Sequence, residues 1–185
     1  MRSLDDSEVG RQALLHDEAR RTASQIDPVT VEHPHMTIDD AYAIQNAWLQ
    51  IELERGRLLV GHKIGLTSRA MQLAMNIDSP DSGYLLDDMV FENGCQLEVA
   101  HYCDPKIEVE LAFVVGTRIE GPDVTVEEVL RSTEAVVPAI ELIDARSYRK
   151  HPRTGITRSV TDTISDNAAD AGIILGDVRQ DPNNI

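Results

Sequence analysis

Two glutamates, Glu108 and Glu110, interrupt the apolar run PKIEVELAFVV at residues 105 to 115. Along an extended chain successive side chains alternate faces, so these carboxylates point one way while Ile107, Val109, Leu111 and Phe113 point the other. Ala112 and Val114 continue the carboxylate face as an apolar one, so the pair stands at the edge of something buried. Either a solvated strand face begins there or a site does. A third carboxylate, Glu141, lies in the middle of VVPAIELID, where burying an unpaired charge is costly. Three oxygen donors, two on one strand and one on another, are a ligand set suited to a hard divalent cation such as Mg²⁺ or Mn²⁺, with water or substrate completing an octahedron.

LLVGHKIGLTS places Lys63 on the same face of an expected strand as Gly61 and Gly65, which leave open space beside the ammonium. A ligand could approach there, and a lysine in a confined, partly desolvated site can have its pKa lowered toward neutrality. An edge-strand lysine with its head in water fits the same spacing. SPDSGYLL reads as a turn in which Pro80 fixes φ, Asp81 bonds the local backbone and Gly83 takes a positive φ. TDTISDNAADAGIILG crowds Asp162, Asp166, Asn167 and Asp170 beside small residues. That pattern suits both a capped helix start and the polar lining of a cleft.

These groups need a scaffold, and 185 residues suffice for one domain with a core. A hydrophobic share of 42% with 26% charged residues is that of an ordinary globular chain and argues against disorder. Seventeen Lys and Arg stand against 32 Asp and Glu, a formal charge of −15. With no Lys/Arg-rich stripe standing out, nucleic acid and anionic membrane surfaces are disfavoured as partners. No apolar run approaches the roughly 20 residues of a spanning helix. MRSLDDSEVGRQ has no apolar signal-peptide region, so a cytoplasmic enzyme is expected. Cys95 and Cys103 read as free thiols, and the six histidines form no HExxH pattern.

The positioning elements follow from periodicity. Residues 7 to 25 read as a helix capped by Ser7, with Val9, Ala13, Ala19 and Ala23 at helical spacing. Thr37 caps a second helix, with Asp39 and Asp40 in its first turn, a buried stripe of Ala41, Ile44, Trp48 and Ile51, and an end at Arg55-Gly56. Beyond residue 56, strands are expected at 57 to 66, 84 to 91, 107 to 115, 136 to 144 and 172 to 176. Thr125 and Glu128 form a capping box for one short helix among them.

Taken together, GHKIGLTSRAMQ, PDSGYLLDDM, KIEVELAFVV, PAIELIDAR and DTISDNAADAGIILG resemble, in the same order, blocks of the hydratase and decarboxylase branch of the fumarylacetoacetate hydrolase superfamily. The resemblance implies an α+β fold, with N-terminal helices over residues 1 to 56 and a mixed β-roll over 57 to 185, forming one structural domain. It implies Mg²⁺ or Mn²⁺ on Glu108, Glu110 and Glu141, proton transfer by Lys63 and Asp81, and substrate contacts from Thr67 and Asn167.

The implied activity is metal-dependent hydration of 2-oxohept-4-ene-1,7-dioate, or its 2-hydroxy-dienoate tautomer, in 4-hydroxyphenylacetate breakdown by a cytoplasmic homo-oligomer. Hydration of 2-hydroxypenta-2,4-dienoate, decarboxylation of 4-oxalocrotonate and acylpyruvate C–C hydrolysis are the alternatives. The hydrolase would need a His-Glu pair on an N-terminal lid, and His33 and His35, between two helices, suggest none. The family continues past IILG with further strands, whereas this chain ends in DVRQDPNNI. The roll is therefore expected to lack its C-terminal part and to leave sheet edges open. A non-catalytic, metal-binding remnant is the remaining reading.

Overall fold

A computed structural model describes residues 2–184 of the chain. Helix α1 (Asp6–Thr22) has its cap two residues earlier than the periodicity suggests, because the side chain of Asp5, and not Ser7, accepts the Glu8 N–H. Asp6 and Glu8 then lie in the first turn and Arg20 and Arg21 in the last, each sign at the helix end whose dipole favours it. A single turn, α2 (Val29–Glu32), precedes α3 (Ile38–Glu54). At the start of α3, Thr37 and Asp40 form the reciprocal capping box. Asp40 also holds the N-terminal segment, accepting the Ser3 and Leu4 N–H groups at 2.9 Å each besides the Thr37 N–H at 2.9 Å.

One core joins the helices to the strands. Val9 and Ala13 of α1 and Ala41, Ile44 and Trp48 of α3 pack in a single buried cluster with Leu85, Leu86, Met89 and Ile164. Strands β1 (Leu59–Gly65) and β2 (Asp81–Leu86) form an antiparallel pair in which Lys63 faces Gly83 and Gly65 faces Asp81. Helix α4 (Arg69–Met75), capped by Ser68, connects them. The other strands are β3 (Val90–Phe91), β4 (Pro105–Val115), β5 (Thr133–Asp144) and β6 (Asp170–Leu175). They form a mixed sheet in the order β3-β6-β5-β4, in which β3 runs parallel to β6 and the other pairs are antiparallel. Helix α5 (Val126–Ser132) carries the Thr125–Glu128 capping box, and α6 (Val160–Ser165) is capped by Ser159 in the same way.

The architecture is α+β, with two local corrections. The expected strand at 84 to 91 is two strands separated by a 3-10 turn at Asp87–Met89. SPDSG is not a closed turn: Asp81 opens β2, and Gly83 is absent from the positive-φ residues. Its glycine is needed for contact, since a Cβ there would lie 2.6 Å from the Asn167 carbonyl oxygen. β4 lies at an edge of the described sheet, with Val109 90% exposed on its outward face. No described helix is long and apolar enough to cross a membrane.

Burial alone would raise the pKa of Asp40, but backbone N–H groups of Leu4, Thr37 and Ser3 outweigh it and hold the carboxyl below the usual range. A depressed folded-state pKa stabilises above the unfolded value and loses that contribution as pH falls. Asp40→Ala is expected to cost about 2–3 kcal/mol in urea unfolding at pH 7. The gap to the wild-type chain should narrow below about pH 4. An equal gap at pH 7 and pH 3 would remove the carboxylate's charge from the explanation.

Candidate active site

The β4–β5 register sets Glu108 directly opposite Glu141 and Glu110 opposite Ala139. Alternation puts both β4 glutamates on the face of Glu141, and one oxygen of each of the three carboxylates lies within 4.8 Å of the others. Like charges directly across a ladder are destabilising unless something bridges them. Lys63 on β1 reaches into the same place, with Nζ 3.1 Å from Glu141 Oε1. Asp81, the first residue of β2, is 4% exposed, and its Oδ1 has no hydrogen-bond partner among the described residues. Gly65 makes room for it, because a Cβ there would fall 2.3 Å from that oxygen. Asp170 opens β6 fully buried, its Oδ2 likewise without a partner.

Too many carboxylates share one ammonium. Burial raises the pKa of Glu141, Lys63 opposes it, and Glu108 and Glu110 raise it further, for a net upward shift. Asp81 is also pushed up, by burial against the pull of Lys63. Asp170 is pushed up to about 7 by burial and then by Glu141. For Lys63, burial lowers the pKa, but Glu141, Asp81 and Asp170 more than reverse it, and the shift is upward. The depression that confinement can produce is outweighed here, because carboxylates rather than apolar walls surround the ammonium. The donors at the Glu108–Glu110–Glu141 cluster are oxygens only, and surplus negative charge with unpartnered oxygens beside it fits a hard divalent cation.

A cavity of about 420 Å³ has Lys63, Thr67, Asp81, Glu108 and Glu110 in its wall, within the size range of small-molecule sites. Asn167 is held against β2. Its side-chain amide donates to the Tyr84 carbonyl at 2.9 Å, and its Oδ1 accepts the Tyr84 N–H at 2.7 Å. The side chain thereby substitutes for a neighbouring strand and latches the turn at residues 167 to 169 onto β2. Asn167, Ala168 and Ala169 are all left-handed, at φ 51°, 51° and 60°, a conformation that costs non-glycine residues energy and needs support. Arg146 supplies it by donating to the Asp166 carboxylate, to the Asp166 carbonyl at 2.6 Å and to the Asp170 carbonyl at 3.0 Å. This turn delivers Ala168 and Ala169 to the cavity wall.

Reading along the chain misses Arg149 and Arg158, which also line the cavity. A signal was present: ARSYRKHPRTGITR holds four arginines and a lysine in an otherwise acidic chain. It also misses a His-Glu pair, since His33 Nε2 lies 2.7 Å from Glu8 Oε1 although 25 residues separate them. Arg11 binds both Glu8 and Glu32 there, and none of the four lies in the described cavity wall.

No family model matches the chain. It is 49% identical over 160 residues to 2-oxo-hept-4-ene-1,7-dioate hydratase of Escherichia coli, covering 86% of this chain and 60% of that protein. To 2-hydroxypent-2,4-dienoate hydratase of Pseudomonas putida it is 33% identical over 161 residues, covering 86% of this chain and 70% of the relative. Its fold matches 4-oxalocrotonate decarboxylase from Pseudomonas putida G7, complexed with magnesium and adipate, with a TM-score of 0.91 and 28% identity over 100% of this chain and 68% of that one. The chain thus spans about 60% of the length of the E. coli relative. Joined to a site of carboxylates and one lysine on the same fold, these likenesses show that the chain belongs to the hydratase and decarboxylase branch of the fumarylacetoacetate hydrolase superfamily.

Proposed function

We propose that the chain carries the catalytic region of a metal-dependent hydratase that adds water to 2-oxohept-4-ene-1,7-dioate, or to its 2-hydroxy-dienoate tautomer, giving 4-hydroxy-2-oxoheptane-1,7-dioate. The observation that carries the reading is the convergence of Glu108, Glu110 and Glu141 beside a cavity that also holds Lys63 and Asp81. The identity to the E. coli hydratase supports the choice of reaction and substrate. Mg²⁺ as the particular ion, a mixed β-roll, a homo-oligomer and a place in 4-hydroxyphenylacetate breakdown belong to the same proposal.

Glu108, Glu110 and Glu141 would hold the ion. When bound, a divalent ion supplies a Lewis acid for the carboxylate and C2 oxygen of a 2-oxo acid. Lys63 and Asp81, in the wall of the same cavity, are assigned the proton transfers. One proton leaves C3 and one arrives at C5 as the double bond moves into conjugation with the C2 carbonyl. Water then gives its hydroxyl to C4 and a proton returns to C3, so that the sum is one added water. Thr67 is assigned to orienting the substrate from the same wall. A second reading, decarboxylation, is supported by the likeness to the 4-oxalocrotonate decarboxylase.

Incubation with Mg²⁺ and the seven-carbon dienoate should remove the conjugated ultraviolet chromophore without releasing carbon dioxide. Carbon dioxide release from 4-oxalocrotonate would favour the decarboxylase instead. Glu141→Gln is expected to weaken Mn²⁺ binding about 10–100-fold in calorimetry while the chain stays folded; unchanged affinity would count against the ligand assignment. Lys63→Met should lower kcat by about 10²-fold or more with KM little altered. Wild-type turnover in that variant would reject the lysine's role.

A further inference from the structure

The cavity carries charge of both signs. Besides its carboxylates, the wall includes part of the segment between β5 and α6, residues 145–159, which brings Arg149 and Arg158 to the cavity. Arg149 donates Nε to Asp104 at 2.6 Å, while its buried Nη2 has no hydrogen-bond partner among the described residues. The side chain of Arg158 is 7% exposed, and it makes a long contact, Nη1 to Asp166 Oδ2 at 3.4 Å. That carboxylate already accepts from the Arg146 side chain and from the Arg146 backbone N–H at 2.8 Å.

Arg158 is therefore a buried cation with little negative charge of its own. Burial lowers its pKa, Asp166 opposes this, and Arg149 and Arg146 lower it further, leaving it below the usual arginine value. A buried charge in such surroundings is destabilising until an anion meets it. Apolar side chains, Ile64, Met71, Ile143 and Val160 among them, make up much of the remaining wall. Carboxylates that suit a cation, apolar side chains and guanidinium groups with donors left over together describe a ligand with a metal-chelating head, a hydrocarbon body and an anionic tail.

We infer that Arg158, assisted by Arg149, binds the remote carboxylate of a dicarboxylate substrate and so selects a dioate over a 2-oxo acid that ends in an alkyl group. The inference rests on the reading above only for which end of the substrate faces the glutamates. Guanidinium groups pair with carboxylates through two parallel hydrogen bonds, which a lysine cannot reproduce. A ligand lacking the second carboxylate leaves the buried cation unmatched, and discrimination of that kind is larger than a methylene contact supplies.

Calorimetry on the full chain with saturating Mg²⁺ would compare 2-oxoadipate with 2-oxohexanoate, which share the chelating head and differ at the tail. The wild-type chain should bind 2-oxoadipate at least tenfold more tightly. Arg158→Met should remove that preference by weakening 2-oxoadipate alone, Arg149→Met should reduce it, and Arg158→Lys should restore part of it, which keeps the test valid if the methionine variant fails to fold. Equal affinities in the wild-type chain, failure of both ligands to bind, or equal weakening of both in Arg158→Met and Arg158→Lys would overturn the inference. Retention of the preference in a chain that hydrates no dienoate would sink the hydratase reading and leave this one standing.

Discussion

The structure depends on a pairing that a β-ladder ordinarily avoids: Glu108 stands directly opposite Glu141, with Glu110 on the same face. Like charges across a ladder repel, and here burial of Glu141 and the approach of Asp81 and Asp170 to the same ammonium enlarge the imbalance. Lys63 offsets part of it through its 3.1 Å contact with Glu141. The surrounding sheet tolerates an arrangement that by itself favours protonation or separation of the strands. Such concentrated, under-compensated charge is characteristic of a site rather than of a scaffold.

Much of the remaining architecture keeps these groups where they are. The β1–β2 pair brings Lys63 and Asp81 to the sheet that carries the glutamates, and Gly65 leaves the volume that Asp81 Oδ1 occupies. The turn at residues 167 to 169 is held at its two ends. Asn167 binds both backbone groups of Tyr84 on β2, and Arg146 ties the carbonyls of Asp166 and Asp170 together. The left-handed backbone of Ala168 and Ala169 can persist because these bonds over-determine it. The helices contribute at one remove: Ile44 and Trp48 share a core with Leu85 and Leu86, so α3 supports β2 from behind.

The electrostatics of the chain divide accordingly. Part of its large negative charge sits at helix caps and on exposed faces, whereas four of its fourteen arginines fall in the short segment between β5 and α6. Arg146 in that cluster is structural, bound to Asp166, while Arg149 and Arg158 border the cavity. Residues within twelve positions of one another thus serve different ends, according to whether a carboxylate meets them inside the fold.

What the sequence determined by itself was local. Alternation put Glu108 and Glu110 on one face, the Thr37–Asp40 and Thr125–Glu128 spacings started their helices, and the apolar runs marked most of the strands, because these features arise within a few residues of backbone. The resemblance of five blocks carried the family. Only the tertiary structure decided that Glu141 falls opposite Glu108 rather than one residue away, since a shift of one in register would turn it to the other face. Tertiary contact likewise decided that Asn167 latches onto Tyr84, that Lys63 is held by carboxylates, and that Arg158 lies buried beside an already occupied Asp166. Partner and burial are set by chain segments far apart in sequence, and the type of a residue does not specify which distant groups the fold will bring to it.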